Sequence, residues 1–223
     1  MLHTSVKIRD AHPDYAAAKS GDAEAAAHLS YDLLDRQKIL FVKEFIARLE
    51  RPSLLPIHAE EQNGFNAIPL GMSDVLSRLL QVPTNDSVYQ SNIVSHTRAD
   101  GFGRIARQAT FTGRVAPGAQ YIVVDDHFGM GGTIANLRGF VMSRGATVGL
   151  ATTLTASRAN DIIAIQRITL ETLVDKFGSG LDEYLEEKFG FGVKCLTEPE
   201  AGYLARATSL DQIRARIASA ESG

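Results

Sequence analysis

Residues 120–144, QYIVVDDHFGMGGTIANLRGFVMSR, constrain the fold more than any other part of the chain. Residues 121–124 form a short apolar, β-branched run, the pattern of a strand buried on both faces of a parallel sheet. Asp125 and Asp126 follow where that strand is expected to end. Gly129, Gly131 and Gly132 come next, and from Thr133 the apolar residues Ile134, Leu137, Phe140 and Val141 recur at helical spacing. Thr133 is the expected N-cap of that helix. A strand, an acid pair, a glycine-rich turn and a helix together imply an α/β fold. Its central sheet is expected to be mostly parallel and flanked by helices, with ligand at the carboxyl ends of the strands.

The chemistry of such a turn is anion binding. Glycines let consecutive backbone N–H groups point inward, and the following helix adds the positive end of its dipole. The carboxylates just upstream would repel a bare phosphate. They suit a ligand that also presents hydroxyls or a bound cation, as a ribose 5-phosphate does. Two commoner phosphate loops fit less well. The nucleotide-hydrolase P-loop requires a Lys after its last Gly, and here Thr133 and Ile134 follow Gly132. The dinucleotide fingerprint requires a third Gly where Ile134 stands, and its acid lies downstream of the loop.

The run VVDDHFGMGGT, residues 123–133, resembles the phosphoribosyl-diphosphate signature of type I phosphoribosyltransferases. The resemblance implies that Asp125 and Asp126 hold the ribose hydroxyls. It implies that His127, Phe128, Gly129, Met130, Gly131, Gly132 and Thr133 hold the 5-phosphate. The chain departs from the signature at His127, where an apolar residue is usual, and at Gly129–Met130, where a hydroxyl-bearing pair is usual. The same resemblance makes Gly64 the counterpart of the family's diphosphate-embracing loop, although the usual basic neighbour is absent. It makes residues 95–113, with Arg98, Arg104 and Arg107, the counterpart of a loop that closes over the diphosphate. An Arg brought in by a closing lid would stabilise the departing charge. His96 is a further candidate there, and residues 156–160 are the pointer to base recognition. His58, Glu60 and Glu61 could approach a metal or base, but read more simply as structural or solvated.

Length and composition add bounds. The 223 residues suit a single domain, with 1–52 as a helical N-terminal extension or hood, 53–178 as core and 179–223 as a helical C-terminal appendage. A formal charge of −3 gives no global basic field for nucleic acid or an anionic membrane. The single Cys195 forms no internal disulfide, and no apolar run approaches membrane-spanning length, so a cytoplasmic protein is expected.

Other expectations are local. Residues 1–11 read as an extended arm or edge strand, and Asp22 as an N-cap for helical periodicity running toward Glu50, broken near Asp35–Arg36. Residues 53–58 and 87–94 read as the first and second core strands. A helix after Ile68–Pro69 should turn Val75, Leu76, Leu79 and Leu80 inward, and residues 146–155 form another buried strand. Residues 161–165, 168–177 and 182–188 are helical in character. Capping boxes at Thr197/Glu200 and Ser209/Gln212 should open helices near 198–206 and 210–219.

The activity implied by the resemblance is phosphoribosyl transfer from phosphoribosyl diphosphate to a nucleobase-type nitrogen. Mg²⁺ would be held near Asp125 and Asp126 through ligand or water, in a homodimer. A non-catalytic sensor of phosphoribosyl diphosphate or a nucleotide is the alternative, and a hydrolase passing ribose to water is a third reading.

Overall fold

The structure, a computed structural model, describes residues 1–58, 60–61, 64–92, 100–157 and 162–221. The chain opens with α1 (Val6–Asp10), α2 (Tyr15–Lys19), α3 (Ala23–Leu33) and α4 (Arg36–Ile46), then β1 (Pro52–Pro56). A small antiparallel pair, β2 (Glu60–Glu61) and β3 (Gly64–Phe65), leads to α5 (Ile68–Leu80). After β4 (Tyr89–Gln90), α6 (Gly101–Ala106) and β5 (Phe111–Thr112) come β6 (Gln120–Phe128), α7 (Gly132–Met142) and β7 (Thr147–Ala156). The remainder is helical: α8 (Arg167–Phe177), α9 (Gly180–Phe189), a 3₁₀ turn at Val193–Cys195, α10 (Glu198–Leu204) and α11 (Leu210–Glu221). The chain divides into two compact units. The first contains Met1–Ile93, Ala109–Gly129 and Asn136–Ala159; the second contains Val94–Gln108, Met130–Ala135 and Asn160–Gly223.

The first unit is α/β. Its three-stranded sheet has the order β1-β6-β7, and both pairings are parallel. Leu54, Leu55, Ile122, Val123 and Val124 are fully buried, as expected of strands covered on both faces. Single parallel bridges widen the sheet at both edges, Thr84 beside Leu54 and Leu2 beside Thr153. Residues 1–4 therefore run as the expected edge, but Ser5 then caps α1 through its hydroxyl, which accepts from Ile8 N–H. Asp22 caps α3 by accepting from the Glu24 and Ala25 N–H groups. The expected break falls at Asp35, whose carboxylate accepts from Lys38 N–H and starts α4. On α5 the buried positions are Ile68, Met72, Leu76 and Leu80, one turn apart, while Leu79 is half exposed and does not face the core.

Three further expectations are corrected. β6 does not end before the acids. It continues to Phe128 because Asp125, His127 and Phe128 pair with Thr153, Thr155 and Ala156 of β7. Thr133 is not the N-cap of α7. The helix begins at Gly132 after Gly131, whose φ of 85° needs a residue without Cβ. Of the second core strand expected at 87–94, the described residues 87–92 form only the pair Tyr89–Gln90, antiparallel to β5 and outside the main sheet. The cause is local. The Asn85 side chain accepts from both Ser87 N–H and Ser87 Oγ–H, a turn that interrupts the pairing begun at Thr84; Gln90 N–H then donates to the His58 carbonyl just past β1.

The second unit is helical within the described residues apart from one isolated antiparallel bridge, Ala164 beside Thr197, so the described residues 162–165 do not form the expected helix. Phe102 and Ile105 of α6 share a buried cluster with Leu173, Leu181, Leu185, Leu204, Ile213 and Ile217 of the later helices. The Thr197/Glu200 capping box is complete. At α11, Gln212 N–H donates to Ser209 Oγ, but Gln212 Oε1 accepts from Thr208, one residue further back than a capping box requires. Among the described residues, no helix is long and apolar enough to cross a membrane.

In the first unit α3 and α5 pack so closely that a Cβ on Gly71 would lie 2.6 Å from the Ala26 carbonyl carbon. Gly71→Ala should therefore destabilise the chain by about 2 kcal/mol through overpacking, despite the better helix propensity of Ala. The readout is the urea midpoint; an unchanged or raised midpoint would contradict this packing.

Candidate functional site

β6 places the acid pair. Its register with β1 ends at Pro56 beside Val124, and Ile57 N–H donates to the Val124 carbonyl at 2.8 Å. Beyond that point β7 is the remaining neighbour in the main sheet, so Asp125 and Asp126 occupy the carboxyl end of the parallel strands. Both are nonetheless buried, at 9% and 8% exposure. Adjacent buried carboxylates cannot both ionise cheaply. Their surroundings separate them. Lys19, the last residue of α2, places Nζ 3.0 Å from Asp126 Oδ2. The Asn66 side chain hydrogen-bonds Asp126 while its Oδ1 accepts from Ile68 N–H at the start of α5.

The protonation states follow from these partners. Burial pushes the Asp125 carboxyl well above the ordinary carboxylate range, and the Asp126 charge pushes it the same way. Burial also acts to raise Asp126. The charge and hydrogen bond of Lys19, the hydrogen bond of Asn66 and the more distant Arg9 outweigh it and hold Asp126 below the ordinary range. The two carboxyls are thus shifted in opposite directions, Asp126 toward the ionised acceptor and Asp125 toward the protonated form, which can also donate.

His127 is directed to β7. Its Nδ1 lies 2.8 Å from Thr155 Oγ1 and its Nε2 2.7 Å from Ser157 Oγ. Buried Arg9 donates to the same Thr155 hydroxyl at 2.9 Å and pairs with Asp10. Phe128 is buried, and its carbonyl accepts from Ser157 N–H at 2.9 Å. Gly64 has φ 113° and sits in β3, paired with Glu61. His58 Nε2 donates to the Asp86 carbonyl, and burial lowers its pKa. Its ring neighbours Phe65 and Tyr89, so it reads as a packing residue.

The turn after Phe128 supplies donors. Among the described residues, none of the N–H groups of residues 130–134 donates to a protein acceptor; the first α7 bond is Ala135 N–H to the Gly131 carbonyl. These orphan amides stand at the positive end of α7. In the second unit, Thr197 Oγ1 donates to the Met130 carbonyl at 2.6 Å. Arg104 and Arg107 lie at the end of α6, also in the second unit, whose N-cap is Asp100. Arg107 donates to the Ala220 carbonyl in the last turn of α11. Arg98 and His96 lie outside the described residues, as does part of the 156–160 segment.

Lys19, Arg9, Thr155 and Ser157 are the site residues that sequence reasoning missed. Lys19 meets Asp126 across 107 residues of chain, and no local spacing marks such a contact.

No protein-family model matches this chain. It is 40% identical over 210 residues to Protein TraN of Escherichia coli, a match that covers 94% of this chain and 47% of that protein. It is 36% identical over 138 residues to an uncharacterized protein of Haemophilus influenzae, covering 61% of this chain and 31% of that protein. The chain thus spans about half or less of the length of these curated relatives. Among solved structures, adenine phosphoribosyltransferase from Saccharomyces cerevisiae is similar at a TM-score of 0.37 and 13% identity, over 61% of this chain and 69% of that one. Orotate phosphoribosyltransferase from Aeropyrum pernix is similar at a TM-score of 0.31 and 18% identity, over 55% of this chain and 66% of that one.

The acid pair generates a test of opposite signs. Asp126, with its lowered folded pKa, contributes stability above the unfolded value of about 3.9, and this is lost as pH falls through the folded pKa. Asp125, with its raised folded pKa, contributes below about 3.9 and loses that contribution as pH rises through the folded pKa. Asp125→Asn should therefore unfold at higher urea than wild type at pH 8, with the gain shrinking toward pH 4. Asp126→Asn should lose about 1–3 kcal/mol at pH 8 by depriving Lys19 of its partner. Equal losses in both variants would contradict the assignment.

Proposed function

We propose that this chain transfers a phosphoribosyl group from phosphoribosyl diphosphate to a nitrogen of a nucleobase-type acceptor, releasing diphosphate. One observation carries the reading: two adjacent buried acids, one of them paired with Lys19, lie near the end of β6, and the chain runs on from them into residues 130–134, whose amide N–H groups meet no protein acceptor among the described residues. A ligand that carries vicinal hydroxyls and a phosphate on one small ring matches both halves of this chemistry. In the proposal, Asp126 accepts from a ribose hydroxyl and Asp125 exchanges hydrogen bonds with its neighbour. The amides of residues 130–134 hold the 5-phosphate. The bond from the anomeric carbon to the diphosphate oxygen breaks as the bond to the acceptor nitrogen forms. The Asp126 carboxylate opposes the positive charge that develops on the sugar. Gly64, Arg98, Arg104 and Arg107 are proposed to meet the diphosphate on the strength of the sequence resemblance alone.

Mg²⁺ belongs to this proposal, and the residues present fit it. Two adjacent carboxyls, one of them paired with Lys19, offer an ion few protein oxygens. That donor set suits an ion held largely by ligand oxygens and water, with Asp125 and Asp126 reached through them. When bound, Mg²⁺ supplies charge neutralisation to the diphosphate.

A second reading, a sensor that binds phosphoribosyl diphosphate or a nucleotide without turnover, draws on Gly129 and Met130. They leave the turn without the hydroxyl side chains that would add donors to its amides.

Calorimetry with phosphoribosyl diphosphate and Mg²⁺ tests the binding step. Wild type should bind, and the double variant Asp125→Asn/Asp126→Asn should lose at least about tenfold in affinity, the scale of one charge-assisted hydrogen bond. Diphosphate release that depends on an added base then separates transferase from sensor, and release without a base indicates a hydrolase. No binding by wild type at millimolar ligand would overturn the proposal.

A further inference from the structure

The second unit contains a buried acid at the start of α7. Glu200 is 5% exposed on α10. Its Oε2 accepts from Thr197 N–H at 2.9 Å as part of the capping box. Its Oε1 makes no hydrogen bond among the described residues and lies 2.5 Å from where a Cβ on Gly132 would stand. This close approach explains why position 132 carries no side chain. It also puts a carboxyl oxygen against the first residue of an eleven-residue helix, beside the unclaimed amides of residues 130–134. A helix start that was to be satisfied within the protein would bond that oxygen to an N–H. Here neither the amides nor the oxygen has a hydrogen-bond partner among the described residues, and Oε1 is not among the side-chain atoms sealed from solvent without one.

We propose that Glu200 is a specificity-determining residue of this turn, sharing one proton with a phosphate held by the amides and so selecting phosphate over sulfate. The inference rests on reading the turn as a phosphate site. A phosphate monoester loses its second proton near pH 6, so it can bring a proton to a carboxylate or take one from a carboxylic acid. Either route gives the same complex, with one proton between Oε1 and a phosphate oxygen, and no bond to phosphorus or carbon changes. Sulfate carries no proton at neutral pH. Once Glu200 is ionised, a sulfate in the turn faces the carboxylate with nothing between them. Burial raises the Glu200 pKa, against the Thr197 hydrogen bonds that lower it. The groups facing Glu200 are the Thr197 amide and hydroxyl from its own helix and Gly132 from the turn. Among the described residues no charged side chain contributes to its shift.

The experiment is calorimetry on the full chain with inorganic phosphate and inorganic sulfate, at pH 8 and pH 5, for wild type and Glu200→Gln. At pH 8 wild type should prefer phosphate by about tenfold or more, the scale of one charge-assisted hydrogen bond. Its sulfate affinity should rise on going to pH 5. Glu200→Gln should bind both anions alike at both pH values, because its amide donates to either. The Gln oxygen can still accept from Thr197 N–H, so the cap is kept. Should the variant not fold, wild type alone decides: sulfate affinity equal at pH 8 and pH 5 overturns the inference. Phosphate binding with the same selectivity in wild type and variant overturns the role of Glu200 and leaves the phosphate site standing. Binding of neither anion by either protein overturns the phosphate reading and this inference with it.

Discussion

The ion pair between Lys19 and Asp126 is the interaction on which the first unit's site depends. Two adjacent carboxyls at the end of a buried strand are costly, and β6 places them there because its register with β7 extends past β1. The N-terminal helices resolve the problem. Lys19 ends α2, Arg9 ends the hydrogen-bond chain through Thr155, and Asn66 adds a donor from the start of α5. The leader before β1 is thus part of the site's electrostatics as well as a cover for the sheet. The two acids are pushed in opposite directions, Asp126 toward ionisation by Lys19 and Asp125 toward protonation by burial.

The turn into α7 solves a different problem with the opposite chemistry. Gly131 takes a backbone angle closed to other residues, and Gly132 leaves room for Glu200. Thr197 holds the Met130 carbonyl, so the box that caps α10 also fixes the start of the turn. In the second unit the helical tail is accordingly a structural component of the turn.

The sequence made some of this legible. The strand, acids, glycines and helical period of residues 120–144 are local signals, and α7 and β6 follow from them within a few residues. Asp22 and Thr197 act as the caps that their spacing indicates, and the break expected near Asp35–Arg36 falls where Asp35 caps α4. What was not legible is non-local. Lys19 is an unremarkable residue after a short alanine run, and only the fold brings it to Asp126. The segment after Asn85 has the β-branched and aromatic composition of a core strand, yet the hydrogen bonds of Asn85 to Ser87 interrupt its pairing, and Tyr89–Gln90 pairs with β5 instead. His127 stands within the acid–glycine motif, but strand alternation and the Thr155 and Ser157 hydroxyls turn its side chain toward β7. Motif position located the segment. Side-chain direction depended on the neighbouring strand.

If the amides of residues 130–134 hold the phosphate of a sugar phosphate, a ¹⁵N–¹H correlation spectrum titrated with ribose 5-phosphate, and separately with ribose, will show it. The amide protons of residues 130–134 should move downfield with ribose 5-phosphate and remain in place with ribose. Amides that stay unmoved at saturating ribose 5-phosphate, or that respond equally to ribose, would contradict it.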